Sequence, residues 1–530
     1  MYTLLRFSSL QSTRLVSLLS VAGLLLCLPS LIQAAPAPAS SPSGLRASAA
    51  QFAVTPPVGA ESGASRTSER ILEVVGDLKT TLVLFEDGET RLCFVTSSFG
   101  LHETVLNTAC RGRVALELGL SPEQVVAASS HNHTVPLLQV RNPEVWGRAG
   151  ASPTRDDANE LGWEFMEKLS VAARSLRGGL APVTVEWGRA REERVSYNRR
   201  GKRADGSPYF IREEDRVLLD PGYIGTIDPD ATVVVLRGSD RKPVAALAFF
   251  TGHPVTGYNP EKMVSFGQWS QVACERLSDH LGGVPVAFLQ GCAGDVNSKY
   301  LLTGTIAQAK ELGGYLGESF IAATRQLRPS ERRGLEWTRA EVIVPQAPLP
   351  PLPDLERELA QIDDFIHRGR AGDENTLTCV GMNFPRALTP PYRARLVEMV
   401  RPWYIWAVDQ RKTGTGDALP RGLPIGIVVA RIGDVGYVGM PFEPFVRIGL
   451  RIKREAPLPC VLPSGYTDGS FGYIPDATAC DDREYMGGFF RYLPQRLPYT
   501  APGGEAVAEV SVPILSRFAR SPRALSSTHP

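Results

Sequence analysis

Val125-Val126-Ala127-Ala128-Ser129-Ser130-His131-Asn132-His133-Thr134-Val135-Pro136 is the stretch on which the reading of this chain turns. The apolar run 125–128 has the length and composition of a buried strand, and it leads into two histidines two residues apart. On an extended backbone residues i and i+2 project to the same face. The spacing therefore predicts two imidazoles facing one site. They can share a metal ion, or one can bind metal while the other works on substrate. The chain has only seven histidines, which sets this pair apart from background.

The same context recurs further along. His253 follows an apolar strand in Phe250-Thr251-Gly252-His253-Pro254, Glu443 follows another in Gly439-Met440-Pro441-Phe442-Glu443, and Asp295 follows a third in Gln290-Gly291-Cys292-Ala293-Gly294-Asp295. In α/β sheets the carboxyl ends of strands carry the ligand site. A catalytic zinc needs about three N/O ligands and an open position for water, whose pKa it lowers toward neutrality. His131, His253 and Glu443 supply such a set.

Around these points the chain alternates strands and helices. Strands are predicted over 80–85 and 92–96 about an Asp87-Gly88 turn, and over 183–187, 232–237, 244–251, 284–289, 425–432 and 435–439. Helices are predicted over 107–118, 159–176, 268–281, 306–327 and 505–518. Prolines cluster at 345–353, and a charged helical stretch follows, so 346–422 reads as a helical insertion or subdomain. The Gly/Tyr/Asp-rich segment 464–488 lacks a period and reads as a long functional loop. The expected class is α/β, a mixed-sheet zinc-hydrolase domain over 51–520, followed by a tail, 521–530.

With 57 basic and 56 acidic residues, the charge gives no reason to expect nucleic acid as a partner. Arg6 and Arg14, the apolar run 15–28 and the small residues of 34–39 follow the order of a secretory signal, expected over 1–35 with cleavage near 34–39. Residues 36–50, rich in Ala, Pro and Ser, read as a disordered leader. Export to the periplasm or medium follows, with an uncleaved anchor as the alternative. Export permits disulfides, and Cys460 with Cys480 is one candidate pair.

At this point a resemblance becomes specific. Val54-Thr55-Pro56-Pro57, Ser130-His131-Asn132-His133-Thr134-Val135-Pro136, Asn198-Arg199-Arg200, Ile227-Asp228-Pro229, Gly252-His253-Pro254, Gly294-Asp295-Val296 and Pro441-Phe442-Glu443 occur in an order similar to that of the catalytic domain of neutral, non-lysosomal ceramidases and their bacterial relatives. The resemblance runs from about Phe52 to about Phe518, and the C-terminal β-sandwich of true ceramidases is missing from it. It implies zinc held by His131, His253, Glu443 and a late-loop tyrosine, for which Tyr473 is the best match ahead of Tyr466 and Tyr485. It leaves His133 to hydrogen-bond the scissile carbonyl or shuttle protons, and it aims Arg199 at the same oxygen.

The departures bear on mechanism. Asn297 stands where the family has a serine implicated in catalysis, and Ser298, one residue later, faces the other way on an extended backbone. Attack by zinc-bound water is therefore expected rather than a serine nucleophile, with Asn297 positioning water or substrate. Asp295 is expected to orient the loop or a ligand histidine. Phe442 replaces the glycine of Pro-Gly-Glu, and Phe442, Phe445, Trp269 and Phe471 are candidates for lining an acyl channel. The expected activity is hydrolysis of an N-acyl amide, with a lipid or other small-molecule substrate and transient contact with a membrane surface. The alternatives are a zinc esterase or amidase on a non-lipid substrate, or a ligand-binding relative that has lost catalysis.

Overall fold

The computed structural model describes residues 44–63, 70–101, 103–220 and 222–520. The expected signal, the first part of the leader and the tail lie outside them. The leader has to be shortened: a strand, Arg46–Val54, begins inside 36–50 and pairs antiparallel along its whole length with Leu78–Asp87. Ala47 at its start is fully buried, and such burial needs a sheet partner.

Two five-stranded sheets stack face to face. The first runs Val125–Ser129, Thr90–Ser97, Leu78–Asp87, Arg46–Val54, Ala181–Pro182. The second runs Val286–Gln290, Pro243–Phe250, Asp230–Arg237, Thr184–Arg191, Arg328–Pro329. Both faces of the central strands are buried, and the alternation of side chains sorts them. Leu82 and Leu84 pack beneath the helices Thr104–Leu118 and Glu160–Gly179, whereas Val83 and Phe85 join Val234, Leu236, Leu247 and Phe249 between the sheets. On the far side Val233, Val235, Ala246 and Ala248 pack under Gln268–His280 and Ile306–Thr324. The order is thus helix, sheet, sheet, helix.

A third sheet, Leu335–Pro345, Gly422–Ile432, Val435–Gly439, Cys460–Ser464, shares Val428, Ala430 and Tyr437 with the inter-sheet core. Its other face carries Ile425, Ile427, Val429 and Val438 into a separate core. That second core is built with the helices Leu352–Arg370, Pro390–Glu398 and Arg401–Lys412, the insertion expected over 346–422.

Each sheet contains one parallel pair near the site: Thr90–Ser97 with Val125–Ser129, Pro243–Phe250 with Val286–Gln290, and Val435–Gly439 with Cys460–Ser464. Their carboxyl ends meet. Isolated bridges Ala128 to Thr467, Gly291 to Ser464 and His253 to Asn297 tie the loops leaving them together. Cys460 and Cys480 do not bridge; each of the seven described cysteines is a buried thiol. Among the described residues no helix is long and apolar enough to cross a membrane.

Candidate metal centre

The strand Val125–Ser129 stops before the histidines. His131 has φ of 61°, a left-handed conformation that an extended strand excludes, and its backbone N–H donates to Ser129 Oγ over 3.0 Å. The two imidazoles therefore converge through a turn and not through the strand alternation expected from their spacing. Tyr466, itself at φ 53°, stacks on the His131 ring at 4.3 Å between centroids.

His133 Nε2 lies 3.2 Å from His131 Nε2, Glu443 Oε2 lies 3.1 Å from His131 Nε2, and His253 Nε2 lies 3.5 Å from the same carboxylate oxygen. Candidate ligand atoms of His131, His133 and His253 all fall within 4.8 Å of one another. Donors about 2.0–2.1 Å from a tetrahedral zinc stand roughly 3.3 Å apart, so these separations fit the edges of one coordination shell. The structure does not set His133 apart from His131, as the sequence reading did; both reach the same point.

The tautomer of His253 supports the fit. Its Nδ1 lies 3.1 Å from the carbonyl oxygen of Ala293, which can only accept, so Nδ1 carries the proton. Arg199 Nη2, 3.4 Å from Nδ1, is then a neighbour and not a donor to it. Nε2 is left as a buried lone pair with no hydrogen bond, facing Glu443. Burial, the Arg199 cation and the two other imidazoles hold the His253 pKa well below its ordinary value. The ring stays neutral at physiological pH, the form a metal requires.

Arg199 is 3% exposed and organises the other side. Its Nε and Nη2 donate to the Gly294 carbonyl at 3.1 and 2.6 Å, Nη1 donates to Asn297 Oδ1 at 2.8 Å, and Nη2 donates to the Tyr473 hydroxyl at 2.9 Å. Gly294 must be glycine, because a Cβ there would stand 2.4 Å from the Glu443 carbonyl oxygen. Tyr473 sits on a two-residue strand, Tyr473–Ile474, that pairs with Glu443–Pro444. The segment expected as a long functional loop is thus pinned beside Glu443. Burial pushes the Tyr473 hydroxyl well above its usual pKa, so it is a neutral phenol here. Tyr466 also reaches the site, with its oxygen 3.4 Å from His253 Nδ1.

Asp295 does not face the imidazoles. Its carboxylate accepts from the Val446 N–H at 2.7 Å and from Asn198 Nδ2 at 2.9 Å, and burial raises its pKa to about 6. Ser298 Oγ turns away to Thr256 Oγ1 at 2.8 Å, whereas Asn297 is brought in by Arg199. The expected acyl-channel residues prove to be core: Trp269 packs under the second sheet, and Phe442 and Phe445 lie inside the third-sheet core, with Phe471 against it.

The cavity at the cluster, about 480 Å³, opens on His131, His133, His253, Arg199, Glu443 and Tyr473. Its apolar wall includes Leu301, Leu388, Leu396, Met399 and Leu493, so the insertion forms part of the site. The sequence reading missed these residues because 384–399 lies more than a hundred residues from any histidine of the cluster. It also missed Gln290, whose buried amide donates to the Gly252 carbonyl at 2.6 Å and the Ser130 carbonyl at 3.3 Å, holding the two histidine loops together. A glutamine ending the apolar strand Val286–Gln290 was the available signal.

The whole architecture has solved counterparts. A neutral ceramidase from Pseudomonas aeruginosa superposes with a TM-score of 0.59 at 16% identity, over 92% of this chain and 77% of that one. A ceramidase complexed with C2 superposes with a TM-score of 0.58 at 18% identity, over the same shares. No family model matches the sequence, and no curated protein matches it. Low identity over nearly all of the described chain is a likeness of architecture, and the fold of this chain is that of the neutral ceramidases.

Proposed function

We propose that the chain is a zinc-dependent hydrolase of an N-acyl amide bond. The observation that carries this reading is the convergence of three histidine Nε2 atoms and Glu443 Oε2 at the head of an apolar cavity. A volume near 480 Å³ lies in the range of small-molecule sites. Its leucine-rich wall suits an acyl chain, each buried methylene contributing about 0.8 kcal/mol. The ceramidase fold supports the same bond and a lipid N-acyl substrate.

His131, His253 and Glu443 would hold the ion, with His133 or Tyr473 adjoining. Zinc bound there supplies Lewis acidity and acidifies a water molecule. This chain's own residues do the rest. Arg199 places a fixed positive charge beside the imidazoles, where the carbonyl oxygen gains charge. It also fixes the Tyr473 hydroxyl and Asn297, so neither has to be ordered when substrate arrives. With Glu443 committed to the ion, the His133 imidazole, 3.2 Å from His131 Nε2, is the group that would accept a proton. Asn297 leaves no hydroxyl nucleophile at its position, and Ser298 is engaged elsewhere.

The purified protein is expected to hold about one zinc per chain. It should hydrolyse N-acyl amides in a substrate panel and lose that activity to a chelator, regaining it with zinc. Metal-free protein prepared under zinc-replete conditions would reject the reading. Ser298→Ala should leave kcat/KM within about threefold and lower stability by about 1 kcal/mol, the scale of a lost buried hydrogen bond. An inactive S298A would restore a hydroxyl mechanism. We further propose export, on the order of charged, apolar and small residues at 1–39; mass spectrometry of the mature N-terminus tests it.

A further inference from the structure

The cavity contains a second guanidinium that the reaction centre does not use. Arg212 lines it, stacking on the Phe210 ring with Cζ 3.4 Å from the centroid. Arg199 stands against the same ring at 5.0 Å. Arg199 donates through all three of its nitrogens, but Arg212 does not. Its Nη2 donates to the Asn383 carbonyl at 2.9 Å, and its Nε is buried without a hydrogen bond. Among the described residues no carboxylate forms an ion pair with it. The carboxylate whose charge acts on it is that of Asp215, whose oxygens accept from the Tyr209 hydroxyl and from the Arg212 backbone N–H. The cavity wall offers two carboxylates: Glu443 belongs to the imidazole cluster, and Glu103 is exposed to solvent.

Burial, reinforced by the Arg199 cation, lowers the Arg212 pKa to about 10, so it remains charged at neutral pH at an energetic cost. Arg212 is half-buried, and charges drawn this far from water are normally paired. A forked cation held on an aromatic platform, short of acceptors and facing a ligand cavity, matches a planar carboxylate. Phe210 and Asn383 fix its position from two different elements, the strand Pro208–Phe210 and the strand Met382–Asn383 of the insertion. Its placement is therefore built and not a surface accident.

We propose that Arg212 is a specificity residue that receives a carboxylate on the amine half of the substrate, so that the preferred substrates are N-acyl amino acids and not N-acyl amines with neutral head groups. This rests on the hydrolase reading above and narrows it. The apolar wall takes the acyl chain, and Arg212, sharing Phe210 with Arg199, takes the head group near the scissile bond.

The test uses zinc-loaded full-length protein and two matched probes, N-dodecanoylglycine and its uncharged amide, N-dodecanoylglycinamide, with release of laurate as the readout. The wild-type protein should favour the acylglycine by at least tenfold in kcat/KM. Arg212→Gln should bring that ratio to within about twofold of unity, and Arg212→Lys should restore part of it. Thermal melts report whether the variants fold; the wild-type ratio stands without them. Preference for the amide, or a ratio unchanged in R212Q, overturns the proposal while leaving the hydrolase reading intact. If neither probe is cleaved, the hydrolase reading weakens, and calorimetric titration decides the head group. At least tenfold tighter binding of the acylglycine, lost in R212Q, supports Arg212 as its receptor; equal affinity or no binding overturns it.

Discussion

His253→Ala is expected to abolish both metal binding and turnover. The side chain is 1% exposed, its Nδ1 proton is committed to the Ala293 carbonyl, and its Nε2 lone pair faces Glu443 without a hydrogen bond. No other described side chain can move into that position, because Arg199 and Tyr466 crowd the ring and the loop is tied to Asn297 through a backbone bridge. Loss of one of three or four ligands should drop bound zinc from about one per chain to well below a tenth under dialysis. A zinc ion supplies several kcal/mol of transition-state stabilisation. At 1.36 kcal/mol per decade, kcat/KM should fall by about 10⁴ or more. A readout independent of turnover follows from linkage: added zinc raises the melting temperature of the wild type and leaves that of H253A unchanged, because an ion stabilises only a fold that binds it. An H253A protein that retains stoichiometric zinc would remove His253 from the ligand set.

How much of this was legible depended on which residues carry local signals. Strands such as Val125–Ser129, Pro243–Phe250 and Val286–Gln290 are continuous apolar runs, because both faces of each are covered. The polar residues past Val125–Ser129, Pro243–Phe250 and Val435–Gly439 converge, and that position could be read without a structure, whereas Asp295 past Val286–Gln290 turns to Val446 and Asn198. The turn that joins His131 to His133 could not. Its left-handed backbone is stabilised by Ser129 Oγ and by stacking on Tyr466, more than three hundred residues away in sequence. Tyr473 was recognisable through resemblance, but its anchoring beside Glu443 by a two-residue strand is too short to show as a period. The lining of the cavity was misread for a related reason. Phe442, Phe445 and Trp269 are the large aromatics nearest the motifs, yet residues flanking a site in sequence fill the core beneath it. The wall comes instead from Leu388, Leu396 and Met399 of the insertion, whose charged helices read as a subdomain of their own. Arg212 carries no sequence signal at all, since what distinguishes it is that no carboxylate of the adjoining Glu213-Glu214-Asp215 pairs with its guanidinium.

Arg199→Met is the substitution expected to separate chemistry from architecture most sharply. Methionine keeps much of the length and apolar contact of the side chain but removes its charge and all its donors. The Gly294 carbonyl, Asn297 Oδ1 and the Tyr473 hydroxyl then lose their shared partner inside a closed site. Each buried group left unpaired costs about 1–3 kcal/mol. The urea midpoint should therefore fall by an amount corresponding to roughly 3–5 kcal/mol, the scale of breaking a buried charged network. Zinc content should stay near one per chain, because His131, His133, His253 and Glu443 keep their own supports. Activity should fall by about 10²–10³ in kcat, as when one preorganised donor to a developing oxyanion is removed. Arg199→Lys restores the charge without the fork, so it should recover part of kcat but little of the stability held by the paired contacts to Gly294 and Asn297. If R199M instead lost stability while keeping kcat within about fivefold, Arg199 would be a brace for Tyr473 and Asn297 and the carbonyl oxygen would have to be stabilised from elsewhere. A large fall in kcat with partial rescue by lysine is the pattern that a bridging scaffold alone does not produce, because a scaffold needs the fork and substrate charge needs only the cation.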